Sequence, residues 1–398
     1  MILSTFPDFN IRSLSLLILV VQGLIFAGML LWRYRQKRVL SDLLLALILL
    51  ITCYHRAAYT IGFMGWYDAF RTTKVNYLLV NLDLALAPLI FFYTKSITRS
   101  NFRFRRLQAY HFIPALVYIL FKVFIAIYDA QQPDFARVQN GVLMVFEIKY
   151  VQPMRMGVQA VQAILYLAFA LQLYYFYRQK IQQHFSNTYQ LELNWLRNFL
   201  YIYSFLFLYD LFQALVIVTI TEMSWQQQWW YHLFSAIAIL YVGIKGYYTD
   251  TPKLSALQFN MSENPLVTTP TSLPNEENQQ QIDEQIKAQR DQLAHFMLTE
   301  KPYLNAELTL LDLARLLHMN RAQLSEVINL GFNKNFNDFI NYYRVEAVKE
   351  MLTEGKHKEF SILGIAYECG FNSKATFNRS FKRMTNVSPT EYLKSIGG

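Results

Sequence analysis

The first 248 residues hold seven apolar runs, each close to the length a helix needs to cross a lipid bilayer, and few folds accommodate such a pattern. A hydrocarbon core about 30 Å thick takes roughly 20 helical residues. The runs are Leu14–Trp32, Leu40–Gly62, Val75–Ile97, Tyr110–Tyr128, Pro153–Tyr177, Leu196–Ile220 and Trp229–Tyr248. Backbone polar groups inside lipid must bond within the chain, so runs of this length imply helices. Apolar residues make up 54% of the chain and charged residues 16%, against a usual charged share of about 25%. The deficit falls on residues 1–248, while 250–398 have the composition of soluble protein. Trp and Tyr mark several run ends, among them Trp32, Tyr34, Trp66, Tyr67, Trp229, Trp230, Tyr247 and Tyr248, as side chains at lipid headgroups do. The first run has no basic segment before it and no small-residue cleavage site after it, so it reads as a retained span.

Basic loop residues set the expected orientation. Arg33, Arg35, Lys37 and Arg38 follow the first run, Arg99, Arg103, Arg105 and Arg106 the third, and Arg178, Lys180 and Arg197 flank the loop after the fifth. The alternate loops are poorer, and residues 221–228 contain no Lys or Arg. The excess of positive charge on cytoplasmic loops then places the N-terminus outside and, after seven crossings, the C-terminus in the cytoplasm. The formal charge of +9 suits a membrane surface or nucleic acid equally.

His55, Arg56, Asp83, Lys122 and Asp210 fall inside the expected spans. Counted at about 1.5 Å per residue, all five lie in the outer half of the bilayer. Charges at such depth cost several kcal/mol unless paired or facing a wet cavity. Two readings stay open: a polar pocket in which a small molecule or peptide is sensed, or interhelical ion pairs that only hold the bundle together.

From Thr249 to about Gln280 the composition turns to Thr, Pro, Asn, Gln and Ser, a flexible tether. The expected organisation is a seven-span membrane domain over 1–248, a linker over 249–281 and a soluble domain over 282–398. Ile282, Ile286, Leu293, Phe296 and Met297 recur at helical spacing, and no strand-like alternation follows, so the chain reads as all-α throughout. Cys53 and Cys369 lie in different halves, which excludes a disulfide framework or a cysteine-based metal site; both read as small buried apolar residues. No cofactor or metal is implied.

The soluble part contains an internal repeat. One copy runs Leu313-Ala314, three residues, His318-Met319, then a helix from Asn320 with Leu324 and Ile328. The other runs Ile365-Ala366, three residues, Gly370-Phe371, then a helix from about Ser373 with Phe377 and Phe381. This is the pattern of two helix-turn-helix units: a small alanine permits close helix approach, and four residues later the chain turns through a left-handed residue, which Gly370 and His318 tolerate. Asn320 with Gln323 resembles a capping box, and Ser373 can cap the other helix. Between the copies, Phe336 to Thr353 reads as a long amphipathic helix with Phe339, Tyr343, Ala347 and Leu352 inward.

Residues from about 305 to 394 resemble the AraC-type DNA-binding domain. The motifs that carry the likeness are Phe339-Ile-Asn-Tyr-Tyr-Arg344, Ile365-Ala-Tyr-Glu-Cys-Gly-Phe-Asn372, Phe377-Asn-Arg-Ser-Phe-Lys382 and Ser388-Pro-Thr-Glu-Tyr392. They span about a quarter of the chain. Asn386 stands where the family usually has Gly, and Asn also accepts the left-handed conformation. The resemblance implies a transcription regulator whose two units read successive major grooves of double-stranded DNA; with the seven apolar runs, the expectation is a bacterial regulator held in the cytoplasmic membrane. By position, Arg321, Ala322, Ser325 and Glu326 of the first unit face bases. In the second, Lys374, Ala375, Asn378 and Arg379 do so, with Lys382 and Arg383 on phosphate. Arg379 suits guanine and Asn378 adenine, each worth about 1–3 kcal/mol of discrimination; phosphate contacts add affinity without reading sequence. Glu326 either accepts from cytosine or faces solvent. Glu346, Glu350, Glu354 and Glu359 face away, toward solvent or RNA polymerase. Membrane lipid, a signal ligand and a second copy of the chain complete the expected partners.

Enzymatic motifs are absent: no P-loop, dinucleotide fingerprint or HExxH occurs. Lys245 lies at the cytoplasmic end of the last run, which does not suit a retinal carrier. A transporter with a regulatory tail is the reading from another class, since Pro88, Pro114 and Pro153 interrupt spans, but no inverted repeat accompanies them.

Overall fold

Length and apolarity decide the helices of the N-terminal region. The computed structural model describes residues 6–70, 74–99, 102–188, 191–219, 224, 226–249 and 276–397. It divides into two units, Met1–Tyr174 with Asn194–Asn260, and Tyr175–Leu193 with Met261–Gly398. Among the described residues the secondary structure is helical, apart from an isolated antiparallel bridge between Phe185 and Thr309. Both cysteines are free and buried.

Among the described residues six helical stretches are long and apolar enough to cross a membrane: Ile11–Lys37, Leu40–Phe63, Val75–Thr98, Arg106–Ala130, Val142–His184 and Asn194–Ile217; all belong to the first unit except the end of Val142–His184, from Tyr175 on. The seventh expected span is a helix, Trp229–Tyr247, but its Trp, Tyr, His232 and Lys245 content keeps it out of that set. Several helices outrun their apolar cores. Ile11–Lys37 begins at a capping box made by Asn10 and Ser13 and extends past Trp32 to Lys37.

The third expected span is broken. Helices Val75–Leu78 and Asp83–Thr98 flank a non-helical stretch at 79–82. Side chains supply the partners this backbone loses. The Val80 amide donates to Tyr54 Oη at 3.0 Å, Leu82 to His55 Nε2 at 3.1 Å and Asp83 to Asn81 Oδ1 at 2.9 Å. Asp83 therefore opens a helix instead of lying within one. Pro88 sits inside Asp83–Thr98, whereas Pro114 occupies the first turn of Ile113–Ala130, where a missing N–H costs nothing. Pro153 follows a π-helical turn, Glu147–Val151, that joins Val142–Phe146 to Gln152–His184.

Helices Ile11–Lys37 and Leu40–Phe63 pack along each other, and Trp229–Tyr247 packs on both. Gly23 permits the approach: a Cβ there would lie 2.5 Å from Cys53 Sγ and from Ile239 Cγ2. Close backbone contact over small residues is how helices associate where no water drives them together. Arg33 closes the bundle's other end on Asp42 at 2.6 Å and also donates to the Tyr247 carbonyl.

The second unit holds both helix-turn-helix copies. The first pairs Leu310–Leu316 with Arg321–Glu326, the latter continuing as a π turn, Val327–Gly331; the second pairs Ile362–Glu368 with Lys374–Thr385. Turn chemistry agrees with the sequence: His318, Gly370 and Asn386 take φ of 55°, 88° and 61°. Asn320 caps its helix by accepting from the Gln323 amide, but the return bond from the Gln323 side chain is not made, so the box is half a box. Ser373 accepts from Thr376. The connecting helix Phe336–Thr353 belongs to two cores. Phe336, Phe339 and Ile340 pack with Leu313, Ala314 and Leu324, while Val345, Val348 and Leu352 pack with Ile365, Phe377 and Phe381. Helix Glu276–Thr299 starts six residues before the expected Ile282 and adds Leu293 and Met297 to the first core. The rest of the expected linker, 250–275, lies outside the described residues.

Gly370 is the tightest glycine of the second unit. A Cβ there would meet the Tyr303 carbonyl oxygen at 2.3 Å, in a left-handed backbone. Gly370→Ala should cost about 2 kcal/mol or more from handedness and clash together. Hydrogen exchange of the full chain should show amides of 362–385 opening on the order of 30-fold more often; unchanged protection would refute this account of the turn.

Candidate nucleic-acid interface and polar cavity

The helix Lys374–Thr385 is strongly two-sided. Thr376, Phe377, Ser380 and Phe381 are buried, while Lys374, Ala375, Asn378, Arg379, Lys382 and Arg383 are exposed. All six expected contact residues of the second unit therefore share one accessible face. In the first unit, Ala322 and Glu326 are exposed, and Arg321 and Ser325 are half-buried, with Leu324, Val327 and Ile328 beneath them.

Two of the expected contacts are engaged within the unit. Arg379 Nη2 lies 3.3 Å from Glu192 Oε1, and Arg383 Nη2 lies 2.5 Å from Asp338 Oδ1. Glu192 is 1% exposed. Its carboxylate also accepts from Thr188 Oγ1 at 2.8 Å and stands 3.6 Å from Arg178 Nη2. Sequence reasoning missed Glu192 because it reads as a loop residue, 187 positions before Arg379.

Glu192 ends a short strap that crosses the second unit. The Ser186 amide and hydroxyl both donate to the Leu308 carbonyl, at 3.3 and 2.6 Å. Asn337 Nδ2 donates to the Ser186 carbonyl at 2.7 Å, and Asn187 Nδ2 reaches Glu307 at 3.2 Å. Arg344, 1% exposed, donates to the Tyr303 and Asn305 carbonyls, each at 2.8 Å, and to Ser186 Oγ at 3.2 Å. Burial pushes the Arg344 guanidinium down to about 10, which leaves it charged at neutral pH. The strap thus passes the N-terminus of the first helix-turn-helix, the connecting helix and the second reading helix.

In the first unit, His55, Arg56, Asp83, Lys122 and Asp210 all line one cavity of about 690 Å³. Two pairs are closed: His55 Nδ1 lies 3.0 Å from Asp83 Oδ1, and Lys122 Nζ 3.6 Å from Glu147 Oε2. Glu147, Arg155 and His232 are cavity residues that the sequence did not mark. Glu147 fell in an apparent loop and Arg155 at an apparent span end; neither sits in an apolar average where a charge stands out. Arg56 contacts His232 Nδ1 and lies under the Tyr231 ring at 4.9 Å. No group of His, Cys, Asp and Glu among the described residues could hold a metal ion.

Residues 313–395 match the family described as a helix-turn-helix domain. The chain is 30% identical over 89 residues to the raffinose operon transcriptional regulatory protein RafR of Pediococcus pentosaceus, covering 22% of this chain and 31% of that protein. It is 29% identical over 110 residues to the HTH-type transcriptional regulator YtdP of Bacillus subtilis, covering 28% and 14%. An HTH-type transcriptional regulator of Haemophilus influenzae is 31% identical over 85 residues, covering 21% and 28%. The chain spans less than a third of the length of these curated relatives. No solved structure matches. Residues 313–395 therefore form a helix-turn-helix domain of the AraC type, similar to the domain carried by these transcriptional regulators.

The exposed residues of helix Lys374–Thr385 should separate by role. Lys382→Ala should weaken duplex binding on every sequence and lower the salt slope by about 1. Asn378→Ala should cost about 1–3 kcal/mol at a single base position and leave the slope unchanged. Fluorescence anisotropy across a salt series measures both; equal slopes for the two variants would reverse the assignment.

Proposed function

We propose that this chain is a membrane-embedded, sequence-specific transcription regulator: a seven-helix domain with its N-terminus outside senses a ligand and controls a cytoplasmic domain that reads double-stranded DNA. The observation that carries it is the exposed face Lys374, Ala375, Asn378, Arg379, Lys382 and Arg383 in a chain that also holds six helices apolar enough to span lipid. Arg321, Ala322, Ser325 and Glu326 read the neighbouring groove, and the units engage two sites about one helical turn apart, as helix-turn-helix pairs do. Pairing of two copies and contact with RNA polymerase through Glu350 and Glu354, both exposed, fit this function.

The strap supplies the control. An Arg that reads guanine presents two guanidinium donors to the base, and here both η nitrogens face Glu192, at 3.4 and 3.3 Å. Binding DNA with Arg379 therefore requires that Glu192 release it. Residues 185–193 are flanked by helices Gln152–His184 and Asn194–Thr219, and these carry the cavity residues Arg155 and Asp210. A ligand that draws on Arg155 and Asp210 acts on the two helices that hold the strap at either end.

Full-length protein in lipid nanodiscs, incubated with fragments of the source genome at two salt concentrations, tests the reading. Recovery of a shared motif over two adjacent major grooves, lost in Arg379→Ala, is expected; sequence-blind binding or none would overturn it. Glu192→Gln should raise affinity for that motif by about fivefold without altering it. Unchanged or weaker binding would show that the strap is structural and not a brake.

A further inference from the structure

The cavity in the first unit leaves specific charges without partners, and these define what it takes. It is lined by three basic side chains, Arg56, Lys122 and Arg155, and by three carboxylates, Asp83, Glu147 and Asp210. Lys122 is closed on Glu147 and Asp83 on His55. Arg56 and Arg155 are each 8% exposed, and neither has a carboxylate within 4 Å among the described residues. The Nε of both is buried without a hydrogen-bond partner. Their remaining contacts are neutral: Arg56 with His232 and the Tyr231 ring, Arg155 with Gln159 Oε1 at 2.9 Å and the Tyr118 ring at 5.4 Å. Asp210 makes no hydrogen bond or ion pair among the described residues, although it lies within electrostatic range of both arginines.

A guanidinium cannot shed its proton to escape burial, and a buried charge without an opposite partner is costly. Two such groups and one open carboxylate in one cavity are an arrangement that a ligand completes. The equal count of basic side chains and carboxylates disfavours a multiply charged anion, which would meet Asp210 with nothing to offset it. A volume of about 690 Å³ lies within the range of small-molecule sites, and tyrosine faces offer apolar contact beside the charges.

We infer that the cavity binds a zwitterion of amino-acid or short-peptide type, with its carboxylate between Arg56 and Arg155 and its ammonium at Asp210. This rests on the sensing role proposed above, but binding and signalling are separable. The carboxylate takes the two orphan Nε donors, and the ammonium neutralises the open aspartate. Net charge in the site does not change on binding, so affinity depends on both ligand groups at once.

The test is calorimetry on full-length protein in nanodiscs with a matched set of probes. L-Phenylalanine and tri-L-alanine carry both groups, 3-phenylpropanoate the carboxylate alone, phenethylamine the ammonium alone, and N-acetyl-L-phenylalanine amide neither. At least one zwitterion should bind at least about tenfold more tightly than the neutral and ammonium probes. Arg56→Gln and Arg155→Gln should each lose about tenfold, while Asp210→Asn should erase the advantage over 3-phenylpropanoate with the fold retained by circular dichroism. Equal binding of the neutral probe, preference for phenethylamine, or no binding by any probe would overturn the assignment and leave the DNA-binding reading intact. A zwitterion that binds as expected without changing motif occupancy would support the ligand class and refute the sensing role.

Discussion

Arg344 is a fully buried cation, and the C-terminal unit is arranged around it. Its guanidinium donates to two carbonyls of the turn at 303–305 and to Ser186, and it lies 5.8 Å from the Phe371 ring. The turn at Gly370 closes directly against it: a Cβ at Gly370 would stand 3.0 Å from Arg344 Nε. One side chain of the connecting helix therefore fixes the entry to the first helix-turn-helix, the turn of the second and the strap from 185–193. A buried charge is tolerated only when its donors are matched, and the partners here are mostly backbone carbonyls, which cannot rotate away. That is a stiff joint. It explains how two small cores, neither large enough to be stable alone, are held as one reading head.

The same rule, that a charge removed from water must find a counterpart, separates three places in the chain. At Arg344, Nε and Nη2 are both taken by oxygen acceptors of the same unit, and the group is structural. Glu192 is shared among Thr188, Arg178 and Arg379, and Arg379 is the one of these two cationic partners that is half exposed. In the cavity the match is incomplete, since Arg56, Arg155 and Asp210 lack ionic partners among the described residues. Degree of satisfaction thus tracks function better than burial does: Arg344 and Arg56 are both buried, but only one has spent its donors.

Local chemistry was legible in the sequence, and long-range chemistry was not. The left-handed positions at His318, Gly370 and Asn386, the bounds of Phe336–Thr353 and the buried aromatic stripe of the second reading helix all follow from residue type and spacing. The break at 79–82 did not, because a hydropathy average is blind to Tyr54 and His55 standing ready to take the freed amides. Glu147 and Arg155 escaped for a related reason. They lie where apolar runs thin out, so nothing flags them as charges in the wrong medium. Glu192 looked like one more polar loop residue, and only folding brings it to Arg379. The capping box expected at Asn320 forms on one side only: Asn320 accepts from the Gln323 amide, and the Gln323 side chain does not take the Asn320 amide in return.

In the proposed control, chain connectivity is what ties the cavity to Glu192. Arg155 lies near the start of a helix that ends at His184, and Asp210 lies 16 residues after the start of the helix that begins at Asn194. Between them the strap has only nine residues, and Glu192 sits two before the second helix. A segment that short has little slack: nine residues fully extended reach about 30 Å, and this one is already committed at Ser186, Asn187 and Glu192. In the control proposed above, the Glu192–Arg379 contact is the tie to be released, and it joins a buried carboxylate to a half-exposed guanidinium; the strap's other ties, at Ser186 and Asn187, reach the start of the first helix-turn-helix and the connecting helix.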